Sequence, residues 1–150
     1  MGSDEIVIAG GPGPGGMVAR RLLERALVDS GLARLHPRHV PSAAALAGEA
    51  RSPRLVVALG AKAAAELLRR PSSLALERGR VRLGPDGGRV LITEHPSAIF
   101  SLADPVARGR EYRRLVTDLM QVVAARPVPP TRSPDVPTRR VEVRAAAAAG

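Results

Sequence analysis

Runs of aliphatic residues alternate along the chain with stretches in which apolar residues recur every three or four positions. Three aliphatic runs are typical of buried strands: 5–9 (EIVIA), 54–59 (RLVVAL) and 89–93 (RVLIT). Helical spacing follows the first run at about 17–30 and the second run beyond Gly60. The order strand, helix, strand, helix, strand, helix predicts an α/β fold, a three-layer α/β/α sandwich built on a small parallel sheet.

The predicted helices carry recognisable ends. Gly31 is the expected C-cap of the first helix, and Asp104 is the expected N-cap of a long helix that begins with Pro105. One apolar face runs along that last helix: Tyr112, Leu115, Val116, Leu119, Val122 and Val123. Elsewhere we expect a short strand near 38–40 followed by a small Ala-rich helix, and an extended hairpin piece over 74–83.

The carboxyl-terminal stretch differs in composition from everything before it. It ends in a run of alanines and contains several prolines, which cannot continue a helix: Pro127, Pro129, Pro130, Pro134 and Pro137. We therefore predict one α/β domain over 1–126, followed by a disordered Pro/Ala/Arg-rich tail over 127–150.

Composition adds a positive charge and removes several classes of site. Lys and Arg number 23 against 14 Asp and Glu, which gives a net charge of +9. Such an excess favours a polyanionic partner, because arginine pairs with phosphate and releases counterions, although a GC-rich genome also enriches arginine. The absence of Cys excludes disulfides, zinc thiolate sites and iron–sulfur clusters, and we expect no metal or cofactor. Neither a signal peptide nor a run of about 18 apolar residues is present, so we expect a cytoplasmic protein with no membrane partner.

Candidate chemistry lies in the loops after the predicted strands, at the edge where open parallel sheets bind ligands. Loop 10–16 is rich in Gly and Pro, and glycine amides can approach an anion closely. No Lys-Ser/Thr follows it, which excludes a P-loop, and its prolines remove amides that a dinucleotide fingerprint uses. The segment 94–97 (EHPS) places His95 at a strand end, where it can present a hydrogen-bond donor. A tight turn and a buried structural histidine are the alternatives.

Several segments, taken in order, resemble the uracil-DNA glycosylase superfamily. They are the Gly/Pro loop with its helix ending in Ser30-Gly31-Leu32, then 53–68 (PRLVVALGAKAAAELL), 77–79 (ERG), 90–99 (VLITEHPSAI) and 112–119 (YRRLVTDL). The sequence is similar in particular to the bacterial branches that hold an iron–sulfur cluster, and among them to the branch that cross-links itself to uracil-DNA. The resemblance covers 53–123 and, in eroded form, 5–32.

The resemblance implies a DNA-repair protein that flips uracil out of DNA and hydrolyses its N-glycosidic bond. His95 would hydrogen-bond a uracil carbonyl and stabilise the negative charge on the departing base. Pro96 and Ser97 would pinch the DNA backbone, while Ile99 and Phe100 would fill the space left by the flipped base.

Other positions follow from the same resemblance. The water-activating motif of the family corresponds to the loop residues Gly10, Gly11, Pro12 and Gly13. Arg78 is expected to contact DNA phosphates. We expect the protein to act as a monomer on uracil-containing DNA.

The sequence departs from the family where water is activated and where the base is stacked. Gly11 stands in place of an acidic or Asn residue, and no aromatic residue precedes Phe100. Three interpretations stay open: an enzyme that excises uracil through His95, a DNA-binding relative without activity, and a small nucleotide-binding protein that uses the glycine loop alone.

A second histidine is a candidate nucleophile. The segment 38–42 (RHVPS) resembles the loop of the cross-linking branch, whose histidine attacks the sugar carbon. His39 is the better positional match and His36 is the other candidate. A neutral imidazole is a competent nucleophile, whereas an exposed, solvated loop histidine is the structural alternative.

Overall fold

The computed structural model describes residues 5–11, 16–46 and 53–124. Five strands form one sheet in the order β2-β1-β3-β5-β4. They are β1 (Ile6–Ala9), β2 (Arg38–Val40), β3 (Leu55–Leu59), β4 (Val81–Leu83) and β5 (Arg89–Thr93). β2, β1, β3 and β5 are parallel neighbours, and β4 runs antiparallel along β5 at the edge. The sheet confirms the predicted α/β class and the three parallel strands.

Helices cover both faces of this sheet. They are α1 (Gly16–Ser30), α2 (Ala61–Leu68), α3 (Leu74–Glu77), α4 (Pro96–Phe100) and α5 (Pro105–Ala124), with 3₁₀ turns at Leu32–Leu35 and Ala43–Leu46. α1, α4 and α5 pack on one face, and α2 packs on the other. The result is the α/β/α sandwich that the alternating pattern predicts.

The core is aliphatic, and the central strands contribute side chains to both layers. Ile6 and Ile8 of β1 join the cluster under α1 and α5, while Val7 and Ala9 join the cluster on the opposite face. Successive side chains of a strand point to opposite faces, so a strand between two helical layers is apolar throughout. This explains why β1 and β3 are continuous hydrophobic runs.

Both predicted helix ends occur in the structure. Asp104 Oδ1 accepts a hydrogen bond from the Val106 amide at 3.0 Å, which caps α5, and Gly31 follows directly after α1. The apolar face of α5 is narrower than predicted, because Val123 remains 36% exposed. Asp118 is not part of the predicted apolar face, yet it is buried together with Leu115, Leu119 and Val122 of the same helix.

The strand predicted near 38–40 and the small Ala-rich helix after it are confirmed as β2 and the turn at Ala43–Leu46. The hairpin predicted over 74–83 is correct only for its second half, where β4 pairs with β5. Residues Leu74–Glu77 form one helical turn instead, because the Glu77 amide donates to the Ser73 carbonyl at 2.9 Å.

The predicted tail over 127–150 lies outside the described residues. Among the helices of 16–46 and 53–124, none combines the length and the apolar character needed to cross a membrane.

Candidate functional site

Loops after four strands meet at the carboxyl edge of the sheet. The register pairs Ala9 with both Val40 and Ala58, so β1, β2 and β3 end side by side. Beyond the strands, the Gly10 amide donates to the Val40 carbonyl at 3.1 Å, and the Gly60 amide donates to the Thr93 carbonyl at 2.8 Å. These bonds hold the loops close together where open parallel sheets bind ligands.

The imidazole of His95 spans this edge from β5 to β1. Its Nε2 lies 2.5 Å from the Gly11 carbonyl oxygen, although β3 separates the two strands in the sheet. His95 also lies close to Gly60, where an added Cβ atom would be 3.6 Å from the His95 Cβ. Gly60 has a φ of +95°, a conformation that favours glycine. The contact brings Gly11 and the segment 94–97 together at the edge of the sheet where the sequence predicts the candidate chemistry.

The hydrogen bonds of His95 determine which ring nitrogen carries the proton. The Ser97 amide donates to Nδ1 at 3.0 Å, and a backbone amide can only donate. Nδ1 is therefore the acceptor, so the neutral ring carries its proton on Nε2 and donates it to the Gly11 carbonyl. The Ser97 hydroxyl oxygen is also 2.8 Å from Nδ1. The arrangement leaves His95 as a fixed donor aimed across the edge of the sheet.

The turn that carries His95 is rigid for local reasons. The Glu94 carboxylate accepts from the His95 amide at 3.0 Å, and His95 itself caps α4, whose first residue is Pro96. Both Pro96 and Ser97 are buried. Proline fixes φ at the first helical position, so the chain direction after His95 is preset.

A cleft of about 430 Å³ opens beside the His95–Gly11 contact. Its described lining consists of Gly10, Gly11, Ala19, Arg20, Leu23, His39, Val40, Pro41, Leu59, His95 and Pro96. The walls are mainly aliphatic, and none of these lining residues is Phe, Tyr or Trp. Two imidazoles and one guanidinium supply its polar side chains. Within the described parts of the chain, no three His, Asp or Glu side chains group to hold a metal ion.

His39 is the second histidine of the cleft. It lies on β2, and partial desolvation lowers the pKa of His39 below the usual 6.5. The Arg20 cation lowers it further, and Glu24 opposes that change. The imidazole is consequently neutral at pH 7. His36 occupies a different place, since it ends a 3₁₀ turn with a φ of +50° and is not among the described lining residues.

Five predicted site residues therefore line one cleft: Gly10, Gly11, His39, His95 and Pro96. Ser97 is buried and is not among the described lining residues, but its amide and hydroxyl contact the ring of His95. Pro12 and Gly13 lie outside the described residues.

Two predicted site residues lie elsewhere. Ile99 is only 1% exposed and packs in the core, which corrects the expectation that it fills the space left by a flipped base. Phe100, the next residue, is 44% exposed. The Arg78 side chain is 8% exposed and forms ion pairs with Glu111 and Asp118. A guanidinium held in this way is not available to a DNA phosphate, which corrects the role expected for Arg78.

Sequence reasoning missed several residues of the site. Arg20 and Leu23 reach the cleft from the first turns of α1, and Pro41 reaches it from the end of β2. The helical spacing of the sequence could have indicated the residues from α1. Ala19 and Leu23 are four positions apart and therefore share one face of the helix, with Arg20 next to Ala19. The position of Pro41 depends on the pairing of β2 with β1, which the pattern does not fix.

A second groove, of about 460 Å³, lies away from these residues. It is lined by residues from the beginning of β3 and β5, including Val56 and Val90, together with Arg69 at the end of α2. None of the predicted site residues borders it.

No protein-family model matches the chain, and no curated protein matches it. Function is therefore inferred from the cleft and from the motifs that form it.

Proposed function

We propose that the protein binds DNA and accepts a flipped uracil in the His95 cleft, where it hydrolyses the N-glycosidic bond. One observation carries this proposal: His95 lines the cleft, and its Nε2–H is bonded to a peptide carbonyl that also borders the cleft, that of Gly11. A uracil carbonyl is an acceptor of the same kind, so a bound base would replace the Gly11 carbonyl as the hydrogen-bond acceptor of His95. Ligand pockets span roughly 300–1,000 Å³, and a cleft of about 430 Å³ is in that range.

The chemistry that His95 supports is stabilisation of the leaving group. When the bond between the sugar C1′ and the base nitrogen breaks, both bonding electrons stay with the uracil, whose charge spreads onto its carbonyl oxygens. A fixed donor beside such an oxygen lowers the barrier, because it needs no reorganisation during the reaction. Water then adds to C1′ and releases a proton. Gly11 offers no side chain to deprotonate that water, so we expect slow turnover.

DNA binding is proposed on the charge of the chain and the surroundings of the cleft. Arg20 lines the cleft, and Phe100 is exposed on α4, which packs beside α1. We expect a monomer in the cytoplasm that binds DNA more weakly as salt rises.

The charge of Arg20 offers a test of DNA binding. Arg20→Gln should weaken binding to any DNA sequence and reduce the slope of log K against log salt by about 1. Arg69→Asn, in the second groove, is the matched control and should leave the slope unchanged. A slope that responds to Arg69 and not to Arg20 would contradict binding at the cleft.

Uracil excision is tested directly with a labelled oligonucleotide that contains one uracil. Wild-type protein should create an alkali-sensitive abasic site at the uracil and none in the thymine version. His95→Ala should lower the rate ~10²–10³-fold, the usual loss when a donor of this kind is removed. His36→Ala, outside the cleft, is the matched control. Salt-dependent binding without abasic sites would leave a DNA-binding relative without activity, and absence of DNA binding would favour the nucleotide-binding alternative.

A second candidate reaction rests on His39. Its lowered pKa keeps the imidazole neutral, and it lines the same cleft as His95. A ring nitrogen of His39 would bond to C1′ as the bond to uracil breaks, and the uracil would leave as the anion beside His95. This reaction predicts a protein–DNA band that survives denaturation. The band should vanish in His39→Ala and persist in His36→Ala.

A further inference from the structure

A buried polar network lies beneath the turn that carries His95. The Thr93 hydroxyl donates to Asp118 Oδ2 at 2.7 Å, and Arg78 Nε donates to the same oxygen at 3.1 Å. Arg78 Nη1 also donates to Glu111 at 2.7 Å. Thr93 is fully buried and Asp118 is 8% exposed. The network thus joins α5, the turn before β4 and the last residue of β5.

The end of β5 is held from several sides at this point. The Thr93 carbonyl accepts from the Gly60 amide at 2.8 Å, while its hydroxyl is bound to α5. One residue earlier, the Ile92 carbonyl accepts from the Gly79 amide at 2.6 Å. Gly79 has a φ of +78°, and a Cβ there would lie 2.8 Å from Asp118 Oδ1, so a side chain at this position would collide with the network.

Stability alone is a weak reason for such a network. Taking carboxylates and a guanidinium out of water costs about as much as their attraction returns, and apolar residues of similar volume often stabilise equally well. The location is more informative. Thr93 is the residue before Glu94, and the amide of His95 is in turn bound to the Glu94 carboxylate.

We propose that Asp118 is a positioning residue for His95 and acts through Thr93. The Thr93–Asp118 hydrogen bond fixes the backbone at the end of β5. It thereby sets the position from which the imidazole of His95 reaches the Gly11 carbonyl. Arg78 holds the Asp118 carboxylate in place. The link to catalysis rests on the proposed function of His95, whereas the link to the geometry of the ring does not.

Two substitutions at Thr93 separate the hydroxyl from the shape of the side chain. Thr93→Val keeps the branched shape and removes the donor, and Thr93→Ser keeps the donor. Nuclear magnetic resonance of ¹⁵N-histidine-labelled full chain, without DNA, reports the tautomer of His95 and the exchange rate of its Nε2–H. Asp118→Leu removes the acceptor of the same bond with little change in side-chain size. We expect Thr93→Val and Asp118→Leu to speed that exchange by roughly tenfold, the equivalent of one hydrogen bond. Thr93→Ser should stay near wild type.

Uracil excision supplies the second readout. Thr93→Val should lower kcat by on the order of 10–100-fold with KM little changed, because a small displacement of a reacting group acts on the transition state. The Thr93→Val/Asp118→Leu pair should lose no more than either single variant, since both act through one bond. Ser30→Ala is the matched control, because Ser30 is also buried and its hydroxyl donates to the Leu27 carbonyl at 3.1 Å, away from His95.

The outcomes separate this proposal from the proposed function. An unchanged His95 spectrum in both Thr93→Val and Asp118→Leu overturns the positioning role, even where wild-type protein excises uracil. Faster Nε2–H exchange in these two variants, when wild-type protein excises no uracil, supports the positioning role and overturns the proposed enzyme activity. Equal effects of Ser30→Ala and Thr93→Val on the ring would also overturn the positioning role. Should Asp118→Leu fail to fold, Thr93→Val decides the question alone.

Discussion

Two buried carboxylates on the β4 side of the sheet, those of Glu77 and Asp118, have similar partners and different surroundings. Both residues are 8% exposed. Glu77 accepts hydrogen bonds from Arg70 and from the Ser72 hydroxyl, each at 2.7 Å. Asp118 likewise accepts from one arginine and one hydroxyl, those of Arg78 and Thr93. The two clusters thus share one chemistry.

The difference lies in how far water reaches the arginines. The side chains of Arg70 and Arg82 beside Glu77 are 47% and 40% exposed, whereas that of Arg78 is 8% exposed. Water can replace a lost partner of Glu77 more readily than a lost partner of Asp118, because the arginines beside Glu77 are the more exposed. The same kind of ion pair thus holds a peripheral turn at Glu77, whereas at Asp118 we propose that it fixes the position of His95.

The largest effect is expected where the enclosed arginine is removed. Arg78→Met leaves Glu111 and Asp118 without their buried cation, which should lower the free energy of unfolding by about 3–5 kcal/mol. Arg70→Met, its matched change in the exposed cluster, should cost much less. Urea denaturation followed by circular dichroism measures both variants. Equal losses would remove the distinction between the clusters.

Function should separate the clusters next. Thr93→Val is expected to slow uracil excision by on the order of 10–100-fold. Glu77→Gln should leave the rate within about twofold, because the side-chain bonds of Glu77 are to Arg70, Ser72 and Arg82 rather than to the β5 end that carries His95. Single-turnover excision at saturating protein makes the comparison. A Glu77→Gln variant as slow as Thr93→Val would show that general loosening, rather than position, governs the rate.

Acid should weaken the Glu77 cluster by protonating its carboxylate. Hydrogen bonds from Arg70 and Ser72 lower the pKa of Glu77 from 4.5 to about 2. A carboxyl whose pKa is lower in the folded state stabilises the fold above its unfolded pKa, and that contribution disappears as the pH falls from about 4.5 towards 2. Wild-type protein should therefore lose more stability across this window than Glu77→Gln. Parallel stability curves for the two proteins would contradict the assignment.

Much of the fold follows from the sequence, because its signals are local. Aliphatic runs predict β1, β3 and β5, and Asp104 predicts the beginning of α5. The helical turn at Leu74–Glu77 was missed because it depends on contacts that no period reveals. Arg78 illustrates the limit at the site: its charge indicates a surface contact, yet burial beside Glu111 and Asp118 decides its partner.

The histidines show the same limit. The position of His95 after an aliphatic run is enough to place it at the carboxyl edge of the sheet. Its tautomer depends on the Ser97 amide. Its contact with the Gly11 carbonyl depends on the order of β1, β3 and β5 in the sheet, so neither follows from the motif alone. The presence of His39 in the cleft depends on the register of β2 against β1.

The smallest expected effect concerns the pKa of His39, which lies outside both carboxylate clusters. Desolvation and Arg20 lower this pKa below 6.5. Arg20→Gln should raise it, because a nearby cation is removed, and Glu24→Gln should lower it further. A lowered histidine pKa also means that stability falls as the pH drops below about 6.5. Histidine titration by nuclear magnetic resonance measures the shifts, and Glu77→Gln should leave the His39 titration unchanged.

The proposed function requires that the Nε2–H of His95 leaves the Gly11 carbonyl and donates to a carbonyl of uracil instead. The most direct measurement follows the His95 ring resonances of the full chain on addition of two oligonucleotides that differ only by uracil or thymine at one position. We expect the Nε2–H resonance to shift, and its exchange with water to slow, with the uracil oligonucleotide but not with the thymine one. Nδ1 should stay unprotonated in both cases. Identical ring spectra with both oligonucleotides, under conditions where both bind, would contradict it.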